Sequence, residues 1–449
     1  MKKRLPNLGS IACCAGVLSF LMLSACEEPE TILAGKREPL RAEEASNIVV
    51  NAGLTENRSE PVLLSQAQSN SNWLQRHNSP HTRIDHPAFG GALEPIWNVN
   101  IGSGNRRFGR IVSEPVVLDG KVFTLDSEAR VSATSTSGAA LWNVSLVPER
   151  DSGRDATGGG LAAANGVVYA ASGFGVVSAL DAKTGQELWV QKLQASATGS
   201  PTVRDGIVYL VAGDSTAWAL NAESGRILWQ LGSSADKNNI LGGPAPAVSD
   251  SLVVFSFGSN ELQAAFKQGG LRVWDSVISG QRRGFTRSRI TDITGDPVIS
   301  GNLVFAGTQS GRMVALDLAS GERLWTAEEG PMSPVWVNGN DVFLVSDGNE
   351  LVRLSAKTGE RIWGVKLPFF VKDRPKRQAT LFAHYGPVLA GGRLYVASSD
   401  GLIRAFDPTN GALLQTGEIP GGASTSPVFA GGVMFVVSGK GQLFAFRLP

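Results

Sequence analysis

The sequence is poor in the residues that most often carry chemistry or staple small folds, with three cysteines, four histidines and four tyrosines in 449 residues. Charge is scarce as well. Asp, Glu, Lys and Arg make up 18%, below the roughly 25% usual for globular domains, and 41 Lys+Arg against 40 Asp+Glu give a net charge of +1. A chain so close to neutral has no long-range field to steer it onto nucleic acid. After residue 26 no apolar run reaches the ~18 residues of a membrane-crossing helix, which argues against a polytopic helical membrane protein. Glycine is what the chain has in excess, 53 residues, so turns are frequent. At about 150 residues per domain the length accommodates one large β domain or about three small ones.

The beginning of the chain reads as an address. Lys2, Lys3 and Arg4 precede an apolar stretch from Ile11 to Met22, and Leu23-Ser24-Ala25-Cys26 closes it with small residues. This is the pattern of a secretory signal, and its ending resembles the bacterial lipobox. The resemblance implies cleavage before Cys26 and acylation of its thiol and freed amine. Ordinary cleavage that leaves a free thiol is the alternative. Glu27 follows where an Asp would resemble an inner-membrane retention signal, so the expected location is the outer membrane, lipid-anchored on its periplasmic face. Cleavage removes Cys13 and Cys14, and with Cys26 acylated no cysteine remains for a disulfide, a thiolate metal site or a nucleophile. It also takes three of the 41 cations, leaving 38 against 40 acids. Attachment must then come from lipid, because more than one acyl chain gives stable anchoring at about 0.8 kcal/mol per buried methylene.

From Glu27 to Ser71 the chain is charged, poor in aromatics and without period, as expected of a mostly flexible tether over residues 26–71. Ile48-Val49-Val50 and Val62-Leu63-Leu64 are apolar pieces able to dock on the domain C-terminal to them.

The remainder repeats. Trp97, Trp142, Trp189, Trp229, Trp274, Trp325 and Trp363 are separated by 45, 47, 40, 45, 51 and 38 residues. Before most of them stands a small-apolar-Asp-x-x-Ser/Thr-Gly phrase, such as Ala179-Leu180-Asp181 to Gly185 and Ala315-Leu316-Asp317 to Gly321. Short alternating runs lie upstream, as in Val167-Val168-Tyr169 and Leu394-Tyr395-Val396, each preceded by an apolar strand opened by proline, as in Pro201-Thr202-Val203. The Asp carboxylate accepts backbone N–H bonds while Gly takes positive φ, so the phrase makes a tight turn. Four short strands per unit, repeated every 40 to 50 residues, predict an all-β propeller whose blades complete one another's core.

Seven tryptophans plus the variant phrase Ala405 to Gly411, ending in Gln415, make eight phrase endings. The last unit, Pro427 to Phe446, stops before a fourth strand, whereas Pro95-Ile96-Trp97-Asn98-Val99 is a fourth strand without the preceding three. The expectation is an eight-bladed β-propeller of four-stranded antiparallel blades over residues 72–449, closed by the N-terminal strand near Trp97. Seven blades is the alternative, because Lys267-Gln268-Gly269-Gly270 replaces the usual turn in the unit from Ala245 to Trp274.

The Ala-x-Asp-x-x-Thr-Gly-x-x-x-Trp phrase resembles the repeat of pyrroloquinoline-quinone-type propellers, a group with quinone dehydrogenases and a non-enzymatic branch. The lipobox followed by such blades, and Arg289-Ile290-Thr291-Asp292-Ile293 ahead of a Pro-Val strand, are similar to the BamB family of lipoproteins of the outer-membrane β-barrel assembly machinery. The dehydrogenases use a vicinal cysteine pair over the cofactor, and carboxylates and amides around calcium. Cys13-Cys14 is vicinal but lies in the signal, and the repeated Asp residues are explained by turn capping. His77, His81 and His86 sit in a Pro-containing segment with no helix to align them as metal ligands, and His384 stands apart. No Ser/His/Asp order or phosphate-cradling loop appears. The expectation is a non-enzyme with no cofactor and no metal, the competing class being a periplasmic propeller enzyme or ligand binder.

Binding surfaces of repeat folds collect in loops on one face. Two connections are long: residues 275–296, with Arg282, Arg283, Arg287, Arg289 and Phe285, and residues 364–386, with Phe369, Phe370, Lys372, Arg374, Lys376 and Arg377. The family resemblance implies BamA as partner, its POTRA domains gripped by two neighbouring inter-blade loops that match Asn239-Ile240-Leu241-Gly242 and Arg289-Ile290-Thr291-Asp292. Ile240 and Asp292 fit the apolar and acidic contacts of the family. Leu241 stands where the family has an arginine and Thr294 where it has a second aspartate, and Arg283 and Arg287 are placed to supply compensating charge. The role implied is a rigid platform that orients the POTRA chain and guides unfolded barrel strands by β-augmentation.

Overall fold

Each blade turns back on itself at the repeated phrase. Asp181 accepts the backbone N–H of Lys183 at 3.0 Å and of Thr184 at 2.7 Å, plus the Thr184 hydroxyl at 2.8 Å. Asp317 and Asn221 do the same for Ser320 and Ser224. The glycine that ends the phrase has φ near +70° to +76°, as at Gly185 and Gly225, a conformation open to glycine at little cost. The tryptophan of the preceding blade lies on it. A Cβ at Gly185 would stand 2.7 Å from the Trp142 ring and one at Gly225 2.6 Å from Trp189. In this way the sequence phrase encodes both the turn and the seat for the neighbour.

The computed structural model describes residues 56–233, 243–258, 260–280, 282, 292–372 and 374–447. Among them thirty-two strands, β1 to β32 in chain order, form eight four-stranded antiparallel sheets, the blades of a propeller. Seven blades are consecutive in sequence. Their inner strands are Val116–Leu118, Gly159–Ala164, Thr202–Arg204, Ala247–Val248, Val298–Ser300, Trp336–Asn338 and His384–Ala390, opening blades 1 to 7. Blade 8 combines β30 (Val428–Ala430), β31 (Val433–Val437) and β32 (Gln442–Phe446) with β1 (Pro95–Asn100), in the order β1-β32-β31-β30. Trp97 pairs with Ala445 and Val99 with Leu443, so the ring closes as expected.

Blade 4 resolves the count in favour of eight. There Phe266 stands at the aspartate position, yet the Gly270 N–H still donates to the Phe266 carbonyl at 3.1 Å, with Gly269 and Gly270 at φ +90° and +69°. Two consecutive glycines make the turn that a capping carboxylate makes elsewhere. Trp229 docks on Gly270 like its counterparts.

Six tryptophans, Trp142, Trp189, Trp229, Trp274, Trp325 and Trp363, donate their indole N–H to carbonyls of the next blade at 2.8 to 3.3 Å. Gln415 replaces the tryptophan for a physical reason. Blade 8 takes its outer strand from the other end of the chain, so it has no third-to-fourth-strand turn on which a ring could sit. Gln415 instead accepts a bond from Arg393 at 3.1 Å.

The segment expected to be tether differs from that expectation from Glu56 onward. Residues 56–94 cross the face on which inner strands turn into second strands, hydrogen-bonded to all eight blades. The Trp73 and Val117 backbones exchange bonds at 2.7 and 2.8 Å, and the Leu74 carbonyl accepts from Ala163 at 2.7 Å. Gln75 bonds both backbone groups of Val203, Ser79 accepts from Val248 at 2.9 Å, and the Asn78 carbonyl accepts from Ile299 at 2.9 Å. The Leu63, Pro87 and Asn70 carbonyls take bonds from Asn338, Gly391 and Gly431. Val62 and Leu64 pack on the core while Leu63 between them is 83% exposed, the alternation of an extended strand. Ile48-Val49-Val50, like Cys26, lies outside the described residues.

Candidate functional site

This strap gives the ring two unlike faces. Behind it, the inner strands run to the opposite face, where the loops between blades and the second-to-third-strand turns surround a cavity of about 730 Å³. Arg76 of the strap, Glu114, Asp292, Tyr385 and Lys440 are among its walls, so the strap forms its blind end. Arg76 donates to Asp296 at 3.1 Å, and that carboxylate also takes the Ala245 N–H at 3.0 Å. Burial pushes Asp296 up to about 6 despite the guanidinium beside it, because desolvation penalises the charged form.

Three of the four histidines lie in the strap. His77 is stacked between Trp73 and Trp336, at 5.3 and 4.1 Å between ring centroids, and burial holds it well below the ordinary imidazole value. His86 accepts the Gly392 N–H at 2.7 Å through Nε2, which leaves Nδ1–H to donate to the Ser65 carbonyl at 2.6 Å. His81 is lowered by burial too. His384, the first residue of the inner strand of blade 7, donates to the Pro368 carbonyl at 2.8 Å and bonds the Ser398 hydroxyl at 2.7 Å. Among the described residues no group of three or more His, Cys, Asp or Glu is placed to hold a metal ion. The vicinal cysteine pair of the dehydrogenases has no counterpart in residues 27–449.

Of the residues expected at a partner contact, the structure describes Asp292. It lies in the loop between blades 4 and 5, is 4% exposed and forms part of the cavity wall. Ile240, Leu241, Arg283, Arg287 and Arg289 lie outside the described residues. The first part of the same loop is fixed through Arg282 by acids that sequence reasoning did not single out. Arg282 grips Asp347 with two bonds, at 2.9 and 3.0 Å, and donates to the Glu328 carbonyl at 2.7 Å. Arg361 joins Glu329 at 2.9 Å and Glu350 at 2.7 Å. Burial pushes Glu329 up to about 7 against the pull of Arg361 and Arg282. Only the density of arginines in the loop hinted at this, because the acids come from blade 6 and the connection that leads into it.

Known proteins share this architecture. The sequence profile of the family described as outer membrane protein assembly factor BamB matches residues 127–365 and 374–447. The chain belongs to the BamB family. BamB of Salmonella typhimurium is 35% identical over 244 residues, 53% of this chain and 62% of that protein. BamB of Escherichia coli is 36% identical over 243 residues, 53% of this chain and 61% of its own length. The chain thus spans about three fifths of these curated relatives. The crystal structure of BamB from Moraxella catarrhalis superposes with a TM-score of 0.66 at 17% identity, over 79% of this chain and all of that one. The quinohemoprotein alcohol dehydrogenase of Comamonas testosteroni gives 0.65 at 15%, over 85% and 82%. At such identities these two likenesses speak for the fold alone. The strap lies outside the residues that the BamB profile matches.

Proposed function

We propose that this chain is a non-enzymatic lipoprotein scaffold of the outer-membrane β-barrel assembly machinery, held by acylated Cys26 at the periplasmic face of the outer membrane. Its partner is BamA. The POTRA domains are bound by the loops around Ile240-Leu241 and from Arg283 to Asp292, with Arg283, Arg287 and Arg289 supplying charge and Ile240 the apolar contact. The single observation that carries this reading is membership of a family described as an assembly factor of outer membrane proteins. The fold supports it physically. A closed ring, with each blade locked to the next and a strap across one face, is a stiff platform that loses little conformational entropy on binding.

Pull-down of the lipidated protein from outer membranes tests the assignment. BamA is expected to co-purify, and replacing Arg283, Arg287 and Arg289 by glutamate should weaken its retention while thermal stability holds. Absence of BamA from the wild-type pull-down, with quinone and calcium taken up instead, would support a periplasmic propeller enzyme.

A further inference from the structure

The connection between blades 6 and 7 is a braced hairpin rather than a plain crossover. Phe370 bridges Leu381, the Val371 N–H donates to the Thr380 carbonyl at 3.0 Å, and the Phe382 N–H donates to the Phe369 carbonyl at 2.9 Å. Asn349 pins the base by donating to the Pro368 and Phe382 carbonyls at 3.2 and 3.0 Å. The far end passes through a 3-10 turn, Pro375–Arg377, and carries Lys372, Arg374, Lys376 and Arg377, all exposed, four cations against the single acid Asp373, which lies outside the described residues. Arg110 and Lys440 are exposed on the rim of the cavity beside it. None of these six has an ion pair among the described residues, whereas Arg282, Arg353, Arg361 and Arg404 all do.

Exposed cations alone are commonly just solvated. Here they flank apolar surface and a concavity. Val371, Leu381 and Met332 are 44%, 39% and 43% exposed and all line the cavity. A flat bilayer would touch the hairpin tip and leave that recess unfilled. A polypeptide laid along the hairpin reaches the tip, the apolar flank and the mouth together, and arginine beside apolar side chains is the composition of interface centres. We propose that this hairpin and the adjoining rim are a docking surface for an acidic polypeptide segment. Its carboxylates face Lys372, Arg374, Lys376 and Arg377, and an apolar side chain enters between Val371, Leu381 and Met332. This surface and the loop that contains Asp292 line the same cavity, but the cations that define it belong to the connection between blades 6 and 7, so its occupancy is read without reference to the partner of the other loop.

The test uses the lipidated protein anchored in lipid nanodiscs and a short fluorescent peptide of alternating glutamate and leucine, with a lysine-leucine peptide and phosphatidylglycerol vesicles as the other probes. The acidic peptide should bind, more weakly as salt rises. The quadruple variant Lys372→Glu, Arg374→Glu, Lys376→Glu, Arg377→Glu should lose about tenfold or more in affinity. Exchanging Lys for Arg and Arg for Lys at the same positions should retain binding, and Leu381→Asp should weaken it at unchanged melting temperature. Equal peptide binding by wild type and the quadruple variant overturns the proposal. So does tip-dependent binding of vesicles without binding of the peptide, which would make the hairpin a membrane contact. Loss of BamA from the outer-membrane pull-down would leave these results intact, so the two readings fail separately.

Discussion

Replacing Trp73 by alanine should open the strap without opening the ring. Trp73 is buried, stacks on His77 and at 6.4 Å on Trp336, and its backbone pairs with Val117. Truncating a buried aromatic costs about 3–5 kcal/mol, and at the low end that is a roughly 150-fold rise in the open population, since 1.4 kcal/mol is tenfold. The consequence is local. The amides of Val117, Ala163, Val203, Val248, Ile299, Gly391 and Gly431 each donate to a strap atom, so their hydrogen exchange reports strap opening directly. In the variant those seven should exchange faster by about two orders of magnitude, while amides between second and third strands, such as Leu210 and Leu344, should not change. Unchanged exchange at the seven would refute the strap, and uniform acceleration across all blades would show that it is no separate unit.

Three further outcomes are set by the packing. Trp363 is fully buried and donates to Pro408, so Trp363→Ala should lower global stability by about 3–5 kcal/mol in denaturant titration. Gln415→Trp, by contrast, should give no stabilisation beyond about 0.5 kcal/mol, because blade 8 has no turn glycine for the ring. Glu329 and Asp296 are pushed up to about 7 and about 6. A carboxyl raised in the folded state contributes stability that is present at low pH and is lost as pH rises through the folded value. The melting temperature should therefore rise by a few degrees on lowering the pH from about 8 to about 5.5, and Glu329→Gln should flatten the part of that rise near 7.

The blades were legible in the sequence because each depends on short-range chemistry repeated at a fixed period: an Asx cap, a glycine at positive φ, and a tryptophan that needs the next glycine. Closure was legible from the mismatch between an incomplete last unit and an orphan strand at Trp97. Even the missing eighth tryptophan carries information, once the topology shows that the turn it would cover does not exist. Of the strap, only the docking of Val62-Leu63-Leu64 was legible. Gln75 meets blade 3 while Asn78 and Ser79 meet the entrance of blade 4, over 128 to 169 residues of sequence, and such long-range bonds leave no period in a polar segment. The histidines illustrate the same limit. Their spacing in sequence says nothing of the Trp73–His77–Trp336 stack, whose third ring lies in blade 6. The partner contact rests on a different kind of reading, because Asp292 and its neighbours were singled out through family resemblance, with no physical pattern of their own.

A stiff platform requires a ring that the two ends of the chain close together. The register pairs Asn100 with Gln442, and opposed residues of antiparallel strands lie about 4.5–5.5 Å apart at Cα, within the span of a disulfide. All native cysteines precede residue 27, so the pair Asn100→Cys and Gln442→Cys reports closure alone. Air oxidation of the folded protein should link the two within one molecule, and non-reducing gels with denaturant titration should show a gain of about 4–5 kcal/mol that reductant removes. Thiols that stay free in the folded protein, or that link two molecules instead, would contradict the closed eight-bladed ring.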